Sequence, residues 1–241
     1  MRDYLSILDS KRFGFKIAKL PSDINHIEDI INDLKKVDIR LAIIRVHQDN
    51  TELINRLEDV GFRIKDSQVV FNRTLLNNII LPLRNEIEYI SYDDKILKRL
   101  IDITKNSFYN YGHYFADVKL NKEKCLEIYC DWIKNCCKDK KFADTVLIAK
   151  IDNSIAGYLA LKIHHKNKMS YVAGVIGAVA PEWRGEGIFK EINIKSIYWA
   201  KENSGFRIEN NVLTTNLSVI KTYIGLDYYI IKSEITMHLW V

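Results

Sequence analysis

A strand that runs through a glycine-bearing loop into a helix constrains this chain more than any other feature. Tyr171 to Ala180 is an apolar run, and Pro181 turns it. Arg184-Gly185-Glu186-Gly187 follow, and from Ile188 the apolar positions Ile188, Ile192, Ile197 and Trp199 recur among Lys and Glu. The run reads as a buried strand and the recurrence as a helix. Glycines let backbone N–H groups approach a pyrophosphate, and a helix N-terminus adds partial positive charge. Arg184 supplies a fixed cation with several donors. The loop is not a P-loop, because no Gly-Lys-Ser/Thr follows. It lacks the third glycine and the strand-end acid of a dinucleotide fingerprint. A glycine turn with nothing bound is the competing reading, since Arg-Gly-x-Gly alone is a weak signal.

A second element breaks the tie. Val212 to Asn216 reads as a strand ending in Asn, and Leu217 to Leu226 as a helix. Tyr223 lies seven residues after Asn216, two helical turns on, so the two share one face. Tyr228 to Val241 reads as a final strand. Loop, Asn and Tyr together resemble the acetyl-CoA-dependent N-acetyltransferases of the GNAT superfamily. That family carries Gln/Arg-x-x-Gly-x-Gly/Ala, then an Asn, a Tyr seven residues on, and Gly-Phe opening a last strand. Here Glu182 takes the first position, and Asp227-Tyr228 replace Gly-Phe. The resemblance covers residues 85–241. It implies acetyl-CoA as co-substrate, with its pyrophosphate on Arg184, Gly185, Glu186, Gly187, Ile188 and Phe189 and its pantetheine beside Val179 and Asn216. Tyr223 is the expected acid, its neutral phenol donating to the departing sulfur. A core tyrosine on an amphipathic helix is the alternative reading of that residue. A backbone N–H at the open end of the Tyr171–Ala180 strand is expected to bind the thioester oxygen.

The first third repeats this ending. Arg40 to Val46 is a strand pattern, followed by Asn50, a helix through Leu53, Ile54 and Leu57, then Val60-Gly61-Phe62 and a strand from Ser67 to Phe71. Shifted so that Asn50 meets Asn216, Leu57 meets Tyr223, Phe62 meets Tyr228 and Ser67 meets Ser233. The chain reads as an internal duplication. The first copy lacks the glycine loop and has Leu in place of Tyr, so it is expected to serve packing, with Gly61-Phe62 capping its helix. The boundary is expected within 76–85, giving a truncated GNAT-like segment 1–82 and an acetyltransferase segment 83–241.

After the boundary, Glu86 to Ser91 reads as a strand, and Asp94 to Phe108 and Asn121 to Cys137 as helices. Thr145 to Ile151 and Ile155 to Ile163 read as a hairpin turning at Asp152-Asn153-Ser154. The order of these elements resembles that of the GNAT fold, and the resemblance implies a mixed α/β class: a central mixed sheet flanked by helices, with a smaller truncated GNAT-like N-terminal unit.

Composition narrows the function classes. Net charge is +5, but basic residues are interleaved with 31 acids and form no stripe, so nucleic acid is not expected. A polyanionic small ligand accounts for the bias. No apolar run reaches the length of a membrane helix, and Met1-Arg2-Asp3-Tyr4 is not a signal peptide, so a cytoplasmic protein is expected. The four cysteines form no Cys-x-x-Cys pair and have no clustered His, so no metal is expected. They read as free thiols rather than nucleophiles. A homodimer is left open.

Ser107 to Asp117 is aromatic and polar, with a glycine and no period. It suits a flat polar ligand such as a sugar or base, and equally a helix–helix connection packing its rings on the core. Phe108, the run Gly112-His113-Tyr114-Phe115-Ala116-Asp117, Leu120, Tyr129 and Trp132-Ile133 are similar to the bacterial TDP-fucosamine acetyltransferase branch. So are Leu8 to Phe15 and the truncated first half. His113 stands where that branch commonly has Arg, and Val118 replaces a Pro. This implies a nucleotide-linked amino-deoxysugar as acceptor, with Tyr109, Tyr111, His113 and Asp117 as its site. The alternatives are another amine (an antibiotic, a polyamine or a protein N-terminus) and a non-catalytic protein that binds coenzyme A or a nucleotide sugar. The general base stays open between His113 with Asp117, the adjacent His164-His165, and ordered water.

Overall fold

The computed structural model describes residues 4–24, 26–75, 86–89, 93–166, 169–203 and 205–241. Their elements, in order, are α1 (Ile7–Phe13), β1 (Lys16–Leu20), α2 (Ile27–Lys36), β2 (Ile39–His47), α3 (Thr51–Asp59), β3 (Arg63–Thr74), β4 (Glu86–Tyr89), α4 (Asp94–Phe108), α5 (Gly112–Ala116), α6 (Lys122–Lys138), β5 (Thr145–Ile151), β6 (Ser154–Lys166), β7 (Met169–Val179), α7 (Ile188–Glu202), β8 (Arg207–Leu213), α8 (Leu217–Ile224) and β9 (Tyr229–Trp240). The expected boundary at 76–85 and the end of the Glu86–Ser91 strand lie outside the described residues. The sequence pattern missed α1, β1 and α2, and α5 is a short turn of helix inside the aromatic loop.

Local chemistry sets several boundaries. Asn50, Asp93, Asn121 and Asn216 each accept a bond from a backbone N–H in the first turn of α3, α4, α6 and α8. Asp152 and Asn153 both take left-handed backbone, at φ 48° and 63°, closing the β5–β6 hairpin as a type I′ turn.

The nine strands of the described residues join one sheet, in the order β1-β2-β9-β3-β8-β7-β6-β5-β4. The last strand of the chain therefore lies between two strands of its first third. The pairing has a pseudo-twofold axis. Gln68 opposes Glu234, 166 residues away, and donates a 2.9 Å bond to it from Nε2. Every other described β3–β9 pair has its mirror under the same shift. Arg63 opposite His238 matches Asn72 opposite Tyr229, and the two register shifts match as well. Leu41 opposite Trp240 in β2–β9 matches Thr74 opposite Arg207 in β3–β8. The helix ends repeat too. Phe62 N–H bonds Leu57 O at 2.9 Å, and Tyr228 N–H bonds Tyr223 O at 3.0 Å. Gly61 and Asp227, just before them, both have positive φ, 97° and 56°. Each copy thus gives its final strand to the other copy's sheet: β9 pairs with β2, and β3 with β8.

The copies differ at one stretch. β1 stops at Leu20 and α2 starts at Ile27, whereas β7 runs on to Val179 and α7 starts at Ile188. The extra strand and loop are the segment that carries Arg184-Gly185-Glu186-Gly187.

Alternation along the strands sorts the core onto two faces. Ile17, Leu41, Ile43, Val146, Ile148, Tyr158 and Ile176 pack with α1, α4, α5 and α6. On the other face Ala18, Ala42, Ile44 and Met237 pack with α2 and α3, and Leu147, Leu159, Val172 and Phe71 with α7 and α8. At about 25 cal/mol per Å² of apolar surface removed from water, each fully buried Leu or Ile of these faces contributes roughly 2 kcal/mol. That is an upper figure, because unfolded chains are already partly compact.

A fork in the sheet

β7 and β8 are parallel and pair only over Tyr171–Gly174 against Arg207–Asn210. Beyond that point β7 continues to Val179, β8 continues to Leu213 beside β3, and a gap opens between them. Gly174 marks the start of the fork. A Cβ there would sit 1.9 Å from Asn210 Oδ1, so a larger residue would have to displace the Asn210 side chain. One residue further, the β6–β7 register slips: Leu161 opposes Gly174 and Ala160 opposes Ile176, leaving Val175 as a bulge. A bulge bends its strand and leaves ladder groups locally unpaired.

Candidate active site

A cleft of about 1000 Å³ opens at this fork. Of the residues singled out in the sequence, Val179, Arg184, Gly185, Gly187, Ile188, Phe189, Asn216, Tyr223, Tyr111 and His113 line it. Glu186, Tyr109 and Asp117 do not. Glu186 is exposed on the loop. Tyr109 is 59% exposed and rests on Phe115, with ring centroids 5.5 Å apart. Asp117 is buried behind the cleft wall.

The loop end is open and glycine-lined. Gly185 and Gly187 have φ of 90° and 80°, and open space lies where their side chains would be. Gly187 caps α7 without any side-chain bond. The first N–H groups of a helix have no partner within it, so a ligand can take them. Arg184 bends back over the end of β7. Its Nε donates to Val179 O at 3.3 Å and its Nη2 to Ser107 Oγ at 3.0 Å. Glu182 is ion-paired with Arg99, and the bond from Arg99 holds its carboxyl below the usual range.

Tyr223 packs its ring against Phe71, Tyr228 and Phe189, at centroid distances of 5.3, 5.1 and 6.1 Å. Burial, then Tyr228 and Tyr111, push its phenol well above the usual range, so it stays neutral at any working pH. Asn216 caps α8 by accepting from Val219 N–H at 3.4 Å, rather than ending a strand. Tyr111 reaches the same corner. Burial raises its phenol, while the Leu213 backbone and the Asn216 side chain oppose the rise.

Phe108, Tyr111, Tyr129 and Trp132 ring a further part of the cleft. Phe108 stacks on Tyr129 at 4.7 Å, and Tyr129 donates to Tyr111 O at 2.9 Å. Three residues the sequence reading did not single out also line the cleft: Arg45 on β2, and Asp66 and Gln68 on β3. The first third therefore adds polar groups to the cleft as well as packing. Asp66 Oδ1 is buried and accepts no hydrogen bond from the described residues.

Asp117 holds the end of β9. Its Oδ2 lies 2.8 Å from His238 Nδ1 and accepts from Trp240 Nε1 at 3.0 Å. Its Oδ1 accepts from Lys119 N–H at 3.1 Å. Burial alone would raise its carboxyl. The bonds from His238, Lys119 and Trp240 outweigh burial and hold it low. His238 Nε2 in turn lies 2.9 Å from His113 Nδ1. Burial draws both imidazoles below the ordinary value, His113 the further. His238 is a residue that sequence reasoning missed. It sits 121 positions from Asp117.

His164 also lines the cleft, stacked on Tyr171 at 5.0 Å, while His165 faces Ser170 Oγ at 2.8 Å. The Cys136 thiol is pushed up by burial to about 12, and Cys125 and Cys137 to about 11. All three stay protonated and unreactive at neutral pH. No described helix is long and apolar enough to cross a membrane.

A model of the acetyltransferase (GNAT) family matches residues 97–227, over half of the chain. No curated protein matches the sequence. Solved structures share its fold at low identity. A functionally unknown conserved protein from Staphylococcus epidermidis is 13% identical at TM-score 0.62, covering 94% of this chain and 84% of its own. A tandem GNAT protein from the clavulanic acid biosynthesis pathway is 10% identical at TM-score 0.62, covering 90% and 70%. A GCN5-related N-acetyltransferase from Kribbella flavida is 12% identical at TM-score 0.60, covering 92% and 80%.

Proposed function

The chain belongs to the GNAT acetyltransferase family, and from that premise we propose that it transfers the acetyl group of acetyl-CoA to the amine of a small acceptor, best a nucleotide-linked amino-deoxysugar. One observation carries the reading: the glycine loop, the β7–β8 fork, Tyr223 and the ring-lined end all open into a single cleft. Two reactants held together there gain most of the rate from positioning.

The residues present fit acetyl-CoA. The open glycine rim and uncapped start of α7 suit its pyrophosphate, and the fork beside Val179 suits its extended arm. In the reaction the acceptor nitrogen bonds to the thioester carbon and loses a proton, and the carbon–sulfur bond breaks. Tyr223 gives its phenolic proton to the departing sulfur. A backbone N–H of β7 beyond its pairing with β8 would bind the developing oxyanion.

Several features favour a nucleotide sugar over an extended peptide. Rings surround the acceptor end, and Arg45 and Lys162 line the same cleft and can meet phosphate. Segment 83–241 carries the chemistry in this reading. Segment 1–82 is a truncated copy that completes the sheet and contributes Arg45, Asp66 and Gln68. A cytoplasmic location belongs to the same proposal.

The test is a free-thiol release assay over an amine panel, starting with TDP-4-amino-4,6-dideoxyhexoses. Saturable thiol release with an acetylated product supports the reading. Turnover of a different amine class would replace the acceptor and leave the transfer standing. Absence of acetyl-CoA binding in calorimetry would overturn the whole reading.

A further inference from the structure

Asp117, His238 and His113 are linked in line from the interior to the cleft wall. We propose that His113 is the general base of the transfer, fixed in its reactive tautomer by His238 and Asp117 as positioning residues. The inference rests on the acetyl-transfer reading of the cleft.

Proton counting sets the direction of each bond. Asp117 is an ionised carboxylate, so it can only accept. His238 Nδ1, 2.8 Å away, must therefore carry the hydrogen. A neutral ring has one N–H, so His238 Nε2 is a lone pair. It can only accept, and His113 Nδ1 at 2.9 Å must be the donor. His113 Nε2 is then a lone pair. No described residue bonds it, and His113 lines the cleft. Burial keeps both rings neutral at neutral pH, so the base is in its accepting form. The His113 ring is also clamped on Tyr114, with centroids 3.9 Å apart. The three groups form a chain, and no described group of His, Cys, Asp and Glu could hold a metal ion.

The proton balance closes. As the acceptor nitrogen bonds to carbon, its proton passes to His113 Nε2. The His113 Nδ1 proton can move to His238 Nε2, so the positive charge ends beside Asp117, which stays ionised. Water then takes the proton, and Tyr223 regains one from water. The charged groups facing His113 are Arg45 from β2, Lys19 from β1 and Asp117. Those facing His238 are Asp117, with Lys65 and Asp66 from β3.

Two measurements test this. In long-range ¹H–¹⁵N spectra of the intact protein at pH 7, both rings should be neutral Nδ1–H tautomers, assigned with His113→Gln and His238→Gln. An Nε2–H tautomer or a charged ring at either position would overturn the relay, with no acceptor needed. In turnover, His113→Gln should lower kcat about 100-fold, with acetyl-CoA affinity unchanged. It should also remove the acid limb of kcat/KM that lies below the ordinary imidazole range. His238→Gln and Asp117→Asn should lower kcat by no more than the roughly 100-fold of His113→Gln, because they act through the tautomer of that imidazole. Turnover in His113→Gln with that limb intact would overturn the base role alone. Failure of the wild type to bind acetyl-CoA would instead overturn the acetyl-transfer reading beneath it.

Discussion

Replacing Tyr223 by Phe separates chemistry from packing, because the structure gives the two effects different sizes. The substitution keeps the ring between Phe71, Phe189 and Tyr228 and removes only the hydroxyl. No described residue hydrogen-bonds that hydroxyl, so its loss should change stability by less than about 1 kcal/mol. Its phenol is held neutral by burial, so it is a proton donor throughout the working range. If it protonates the departing sulfur, turnover should fall by roughly 10²- to 10⁴-fold, or about 2.7–5.4 kcal/mol of barrier. Acetyl-CoA affinity should stay near wild type, since the interaction is made mainly in the transition state. The assay is single-turnover thiol release, which isolates chemistry from product release, with calorimetry for binding and thermal melting for the fold. A folded Tyr223→Phe protein with a near-normal single-turnover rate would refute the reasoning. The proton would then come from water or another residue.

Gly187→Val should abolish acetyl-CoA binding in calorimetry, because it closes the rim and strains a position at φ 80°; retained affinity in a folded variant would count against the loop. Saturation should give one acetyl-CoA per chain, since the first copy lacks the β7–α7 extension; a stoichiometry of two would contradict its structural role. Acid should destabilise the fold early. His113 and His238 have folded values below the unfolded one of about 6.5, so the unfolded chain binds more protons below that pH. Stability is full above about pH 6.5 and falls as pH drops toward the folded values, by up to ~1.4 kcal/mol per pH unit for each imidazole; urea melts at pH 7 and 5 on wild type and His113→Gln should show the smaller slope in the variant. Expressing 83–241 alone should give an aggregating chain, because β9 loses its partners on both sides; a soluble, monomeric, cooperatively melting fragment would refute this.

What the sequence disclosed follows the range of each signal. The glycine loop, the Asn216–Tyr223 spacing and the start of α7 are local and came through directly. The 166-residue repeat also survived, because each copy keeps its cap, turn and strand chemistry. His238 stayed hidden for a physical reason. It sits in β9 on the face of Thr236 and Trp240, opposite the apolar face of Ile235 and Met237, which reads as an ordinary half-solvated strand. In the fold that face is covered, and His238 is 2% exposed. Asp117 was singled out for acceptor contact, but its bonds run to His238 and Trp240 behind the wall. Arg45, Asp66 and Gln68 were missed because no local pattern announces that β2 and β3 will flank the last strand. Only the exchange of final strands brings them to the cleft.

That exchange also makes the cleft depend on the first third, although that third has no glycine loop. At the pseudo-twofold axis β3 and β9 pair along their length, and each passes on to the other copy's strand. β9 carries His238 into the wall, and β3 carries Asp66 and Gln68 to the cleft. A loss in the first copy of the loop or of the Tyr equivalent, where Leu57 stands fully buried, removes no group the cleft uses. A loss of β2 or β3 would unpair β9 and release both His238 and the polar rim. The cleft therefore depends on the strands of the first third and not on its helix ends. Substitutions on α3 away from its buried face should change turnover little. Substitutions that shift the β3–β9 register should lower turnover even where every residue of the glycine loop is intact.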